Sequence, residues 1–188
     1  MNNWTGIFIL SCWVVFFIYW VVNAANVKQN IEKHISLRYI FLLSLVVGAV
    51  FITMLYEKTF LQNTLWKAST RLGIVTDLLV SVGLSITLWA RATLGKNWSA
   101  HVTLKKGHKL IKHGPYAVVR HPIYSGMIIM SVGTAINIGR VYAFVLLAAM
   151  LVGFIAKFRL EEELMLKHFT KEYKLYKKRV KALVPYIF

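Results

Sequence analysis

Five apolar runs constrain this chain more than anything else in it: charges almost vanish near Trp4 to Val22, Tyr39 to Tyr56, Leu72 to Ala90, Ile123 to Asn137 and Val141 to Ala156. A bilayer core about 30 Å thick takes roughly 20 residues of helix rising about 1.5 Å each, and the first three runs approach that length. The last two are shorter and are joined by Asn137-Ile138-Gly139-Arg140, which predicts a tight helical hairpin. With 57% hydrophobic residues and a mean hydropathy of +0.57, the chain is more apolar than a soluble core of 188 residues requires. The expected fold class is an all-α integral membrane protein of about five transmembrane helices, the last two forming that hairpin. The first run lacks a basic start and a small-residue cleavage pattern, so it is read as a mature helix and not as a signal peptide. Cys12, the only cysteine, lies in it, which excludes a disulfide within the chain and a cysteine-rich metal site. Asp77 is the one acid inside a run.

The net charge of +16 raises nucleic acid as a partner, but the distribution of the cations argues against it. Nineteen of the 23 Lys and Arg residues fall in the connections after the first and third runs and in the stretch from Lys157 onward. Lys58, Lys67, Arg71 and Arg140 make up the rest. Positive charge stays on the cytoplasmic side, so five passes predict an outside N-terminus and a cytosolic C-terminus. No aromatic-basic platform stands apart from the runs.

There is no internal repeat, and Pro115, Pro122 and Pro185 are the only prolines, so residues 1–188 read as one domain. Within it, 1–93 supplies three transmembrane helices and 94–188 supplies a polar loop, the hairpin and a C-terminal helix. The loop from Leu94 to His121 has the glycines and alternating basic residues of turns and short extended pieces. Pro122 suits a first helical turn, where its missing N–H costs nothing. A helix N-terminus at that point attracts a carboxylate or phosphate, and Arg120 adds a forked donor beside it. From Leu160 to Val180 an imperfect apolar stripe predicts an amphipathic cytosolic helix, with Glu161 to Glu163 in its first turn and Lys177-Lys178-Arg179-Val180-Lys181 near its end. That basic end suits anionic lipid headgroups.

Each polar residue has an ordinary explanation alone. Arg120 beside a run is a topology anchor, Tyr116 and Tyr124 are interfacial aromatics, and acids open helices. His108, His113 and His121 match no common metal spacing and have no thiolate or carboxylate among them, so no metal is expected. The combination carries more. Gly114-Pro-Tyr-Ala-Val-Val-Arg-His-Pro-Ile-Tyr-Ser-Gly126 puts a cation, an imidazole and two phenols at the start of the hairpin, and three of the seven acids follow its end. Two facing polar clusters suit a zwitterionic ligand bearing a diol.

The run Arg120-His121-Pro122-Ile123-Tyr124, followed after a hydrophobic hairpin by the glutamates, resembles the isoprenylcysteine carboxyl methyltransferases and the related membrane phospholipid methyltransferases. The family pattern has its glycine three residues after the tyrosine; here Gly126 comes two after Tyr124. Gly95-Lys-Asn-Trp98-Ser, Gly107-His-Lys-Leu110, Gly114-Pro-Tyr116 and Glu172-Tyr173 with Tyr176-Lys-Lys-Arg-Val180 extend the likeness over roughly residues 94–188.

The resemblance implies S-adenosylmethionine as methyl donor, giving S-adenosylhomocysteine, without a Rossmann domain. It implies that His108, Lys109, Leu110 and Ile111 line the cofactor from the loop, that Tyr116 closes over it, and that Arg120 and His121, Pro122, Ile123 and Tyr124 hold its amino-acid end. Glu162 or its neighbour Glu161 would bind it from the tail. Arg159, or Lys157 in its place, would orient an acceptor carboxylate entering from the bilayer. The expected reaction is O-methylation of an isoprenylcysteine-type carboxylate. Phospholipid N-methylation, or methylation of another small lipophilic acceptor, remains an alternative, and a non-catalytic basic membrane scaffold is a further one.

Overall fold

The computed structural model describes residues 3–24, 30–34, 60–98, 102–105 and 110–185, with the backbone alone for residues 3, 24, 30–34 and 102–105. The run expected from Tyr39 to Tyr56 and the segment holding His108 and Lys109 lie outside the described residues. The helices are α1 (Asn3–Ala24), α2 (Thr70–Leu94), α3 (Pro122–Ile138), α4 (Val141–His168) and α5 (Thr170–Arg179). Short 3₁₀ turns cover Phe60–Gln62, Gly95–Asn97 and Gly114–Ala117. Among the described residues, three helices are long and apolar enough to cross a membrane, over Trp4–Asn23, Thr70–Asn97 and Val141–His168, and α3 is a shorter apolar helix. The all-α expectation needs one addition. Strands β1 (Asn30–His34) and β2 (Val102–Lys105) pair antiparallel, with His34 opposite Val102 and Asn30 opposite Lys105.

Charge proved a poor marker of helix ends. The expected third span stopped at Ala90, yet α2 continues to Leu94 and carries Arg91 inside it; Gly95, at φ 52°, ends it. The expected separate helix over Leu160 to Val180 is instead the end of α4 followed by α5, with the break at Phe169. Glu161 to Glu163 therefore sit deep in α4 and not in a first turn. Glu, Leu, Met and Lys all favour helix, so nothing in residues 157–167 interrupts the ladder that the apolar run began.

The turn between α3 and α4 is fixed by Gly139, whose left-handed φ of 62° is cheap only without a Cβ. A Cβ there would also meet Trp66 Nε1 at 3.0 Å. That indole donates to the Ile136 carbonyl at 3.0 Å, and Leu65 N–H donates to the Gly139 carbonyl at 2.8 Å, so residues 63–66 cover the hairpin tip.

Helices α2 and α3 form the tightest contact, because small residues let their backbones meet. A Cβ on Gly126 would lie 2.2 Å from Thr87 Oγ1 and 2.6 Å from the Gly83 carbonyl oxygen. Thr87 cannot easily turn aside, since its hydroxyl donates to that same carbonyl at 2.7 Å. Gly126→Ala must push α3 away, and overpacking of this kind costs about 1–3 kcal/mol. Thermal unfolding in detergent is expected to show the loss, and an unchanged midpoint would refute the contact. Helix α1 completes the described bundle: Ile9, Cys12 and Phe16 bury against Val80 and Met130, and Trp13 Nε1 donates to Thr134 Oγ1 at 3.0 Å.

Candidate active site

The start of α3 and the far third of α4 meet at one carboxylate. Glu162 is 5% exposed. Its Oε1 accepts from Arg120 Nε and Nη2, each at 2.6 Å, and stands 3.2 Å from His121 Nε2. Its Oε2 lies 2.6 Å from Lys177 Nζ on α5. Arg120 Nη1 also donates to the carbonyls of Val180 and Lys177. Three helices are thus held by one acid.

The strand-like segment after α5 closes the same corner. Arg120 N–H donates to the Lys181 carbonyl at 2.7 Å and His121 N–H to the Ala182 carbonyl at 3.0 Å, while Ser125 Oγ donates to the Leu183 carbonyl at 2.7 Å. The Arg120 guanidinium, expected as a forked donor to a bound anion, is taken up by the chain's own groups. A guanidinium withdrawn from water takes the nearest carboxylate and carbonyls, and here they come from the chain itself.

Glu161, one residue earlier and about 100° around the helix, faces elsewhere. It lines a cavity of about 330 Å³, within the ~300–1,000 Å³ range of small-molecule sites. Its Oε1 accepts from Tyr124 OH at 2.7 Å and its Oε2 lies 3.9 Å from His121 Nδ1. The His121 ring is held between Tyr124 and Phe158, with centroids 5.7 and 5.0 Å away. Glu163 is exposed. The glutamates therefore divide by helix phase into one that faces the cavity, one locked behind it, and one at the surface.

The remaining residues singled out in the sequence fall as follows. Tyr116, Arg120, His121, Ile123 and Tyr124 line the cavity, as does Ile111. Pro122 is buried behind it, and Leu110 is half-buried off the lining. Arg159, expected on the acceptor side, is exposed and is not among the residues that line the cavity. Lys157 does reach it, with Nζ 5.6 Å from the centroid of the Tyr124 ring. The cause is again helix phase: residues 154, 157, 161, 164 and 165 recur at three- and four-residue intervals on one face, and residue 159 lies opposite.

Three phenols close the cavity from the loop and α5. Tyr176 OH donates to the Tyr116 carbonyl at 2.6 Å, tying the two segments. Burial pushes the hydroxyl of Tyr116 well above its ordinary range, with nearby Glu161 adding to the shift, and burial does the same for Tyr173 and Tyr176. All three stay neutral and present flat faces. The far wall carries no sequence signature of its own: Phe16 and Trp20 of α1 reach the cavity, with Leu94 at the end of α2 and Trp98 just after the 3₁₀ turn that follows it. The aromatic richness of the first run was the one available hint.

A family model described as the isoprenylcysteine carboxyl methyltransferase family matches residues 75–168, half of the chain. Similar proteins include the probable protein-S-isoprenylcysteine O-methyltransferase of Oryza sativa subsp. indica, 33% identical over 113 residues, covering 58% of this chain and 59% of that protein. The protein-S-isoprenylcysteine O-methyltransferase of Homo sapiens is 35% identical over 133 residues, covering 68% of this chain and 47% of its own length. That of Saccharomyces cerevisiae is 32% identical over 133 residues, covering 69% and 54%. The aligned stretch thus spans about half the length of these relatives. The family match over residues 75–168 includes the start of α3, the hairpin turn and α4 with its glutamates, which is the frame that builds the cavity. The chain belongs to the isoprenylcysteine carboxyl methyltransferase family.

Proposed function

We propose that the protein is an S-adenosylmethionine-dependent methyltransferase of the membrane that O-methylates the carboxylate of an isoprenylcysteine-type acceptor. One observation carries this reading: a single cavity joins an apolar, aromatic wall to a polar end where Lys157 and Glu161 stand one helical turn apart on α4. The polar end suits charged groups and the aromatic wall suits a greasy chain, and the relatives' names point to isoprenylcysteine as that chain.

The lining fits the donor. Glu161 offers a carboxylate to hydroxyls or to a positive centre, and the neutral phenols of Tyr116, Tyr173 and Tyr176 offer faces that attract a cation and stack on a base. Arg120 on the lining, with Pro122 and Glu162 behind it, holds His121, Ile123 and Tyr124 in place. Bound here, S-adenosylmethionine would supply a methyl group already activated on a sulfonium. Lys157 orients the acceptor carboxylate, which is ionised near pH 7 and asks for no base. Positioning does the rest: fixing two reactants in an in-line arrangement can supply on the order of 7–11 kcal/mol.

By the distribution of cations, the N-terminus lies outside and the cavity faces the cytosol. The outer face of α5 carries Lys171, Lys174 and Lys178 around exposed Leu175. It rests on anionic headgroups, each basic residue contributing about 1 kcal/mol near such a surface.

The test is calorimetry of the purified protein with S-adenosylhomocysteine, followed by assays with a farnesylcysteine analogue and phosphatidylethanolamine in parallel. Binding and methyl ester formation are expected. Methylation of the amine lipid alone would move the assignment to phospholipid N-methylation, and no binding would end the enzymatic reading. Glu161→Gln is expected to weaken S-adenosylhomocysteine by about 1.5–3 kcal/mol, the value of hydrogen bonds to a charged group.

A further inference from the structure

Arg91 is a buried cation that the proposed chemistry does not use. It is 2% exposed, one turn from the end of α2. Nη1 donates to the Gly95 carbonyl and Nη2 to the Asn23 carbonyl, both at 2.9 Å. Those carbonyls belong to the ends of α2 and α1, where helix dipoles favour a cation. Its Nε has no hydrogen-bond partner among the described residues. The guanidinium carbon lies 4.5 Å from the centroid of the Trp98 ring. The Trp98 ring in turn meets Trp20 at 5.9 Å and 88°, and Trp20 stacks on Phe16 at 4.4 Å and 28°. Phe16, Trp20 and Trp98 line the cavity while Arg91 stands behind them.

Burying a cation is costly, and carbonyls and a ring face repay it less fully than a carboxylate would. An apolar side chain would fill the same space without that cost. What it could not do is bind two helix ends through its forked N–H groups while seating an indole against its face, which suits the flat guanidinium. We propose that Arg91 is a positioning residue, setting the aromatic wall of Trp98 and Trp20 against which the apolar chain of the methyl acceptor lies. The proposal rests on the methyltransferase reading for its ligand, but its geometry does not depend on that reading.

Arg91→Lys keeps the charge and loses the fork and the plane. It is expected to raise KM for a farnesylcysteine analogue about five- to tenfold, the loss of one well-placed aromatic contact, with S-adenosylhomocysteine affinity held within about twofold. Trp98→Leu is expected to raise KM similarly, and the double variant no further than the larger single, because both act on one wall. A geranylcysteine analogue, whose shorter chain touches less of the wall, loses less. Equal losses for acceptor and S-adenosylhomocysteine, independent effects of the two substitutions, an unchanged KM, or an Arg91→Lys protein that cannot fold would each overturn the proposal. Wild-type protein that binds the farnesyl analogue without methylating it would defeat the enzymatic reading alone, and the same comparison would then be made on Kd. Failure of wild-type protein to bind the analogue would defeat both.

Discussion

Glu162→Ala is expected to unfold the end of the protein where α3, α4 and α5 meet more readily than any other single change at the site. The carboxylate is 6% exposed in its side chain and joins Arg120, itself 8% exposed, to His121 and to Lys177. Removing one partner of a buried pair leaves the other desolvated and uncompensated, which costs about 3–5 kcal/mol. Most of that loss comes from Arg120, since Lys177 is 45% exposed and can turn to water. The consequence spreads because Arg120 also holds the chain at Lys177 and Val180, so α3, α4 and α5 lose their common anchor. Thermal unfolding in detergent, read at neutral pH, tests the point. The double variant Arg120→Met with Glu162→Leu is expected to recover part of the stability, since no orphaned charge then remains. A Glu162→Ala protein with wild-type stability and weakened S-adenosylhomocysteine binding would reverse the roles, making Glu162 the ligand and not the anchor.

The meeting of Arg120, His121 and Tyr124 with the glutamates was legible in the sequence because geometry leaves little choice. Two short apolar runs joined by four residues must fold back, and polar groups flanking the pair must then lie together. What could not be read was phase. Glu161, Glu162 and Glu163 are identical in type, and only the rotation of α4, set by Phe158 and Leu164 burying among their neighbours, decides which one faces the cavity. The same rotation puts Lys157 on the cavity lining and leaves Arg159 off it. Length was misjudged for a related reason. A charge ends an apolar run but not a helix: α4 has 28 residues, about 42 Å of rise against a core of about 30 Å, so its last turns stand clear of lipid. Arg91 was counted as a loop cation on the same mistaken premise. The contribution of Phe16 and Trp20 was hidden because an apolar run marks no face as different from another. The closing segment at Lys181 to Leu183 was hidden because it acts through backbone carbonyls, which carry no signature of sequence.

Lys157→Met separates by function the two cations that precede the glutamates of α4. Both precede the glutamates, yet Lys157 lines the cavity over the Tyr124 ring and Arg159 is exposed. An ammonium on a flexible stem, backed by a ring face, can reach a carboxylate delivered from the apolar wall and hold it beside Glu161 without a fixed fork. Loss of a charged hydrogen bond of this kind is worth about 2–3 kcal/mol, so kcat/KM for the farnesylcysteine analogue is expected to fall roughly 30- to 150-fold. Arg159→Met is expected to change it by no more than about twofold, as exposed surface charges do. Lys157→Arg restores the charge and is expected to recover part of the rate. S-adenosylhomocysteine affinity is expected to hold in Lys157→Met, because the lost group is assigned to the acceptor and the product nucleoside to Glu161 and the phenols. An amine acceptor gives the sharpest contrast: a cation repels a protonated amine, so if phosphatidylethanolamine were the true substrate, Lys157→Met would leave its methylation intact or raise it. A fall in kcat/KM with Arg159→Met and none with Lys157→Met would return the acceptor carboxylate to the opposite face of α4, outside the cavity.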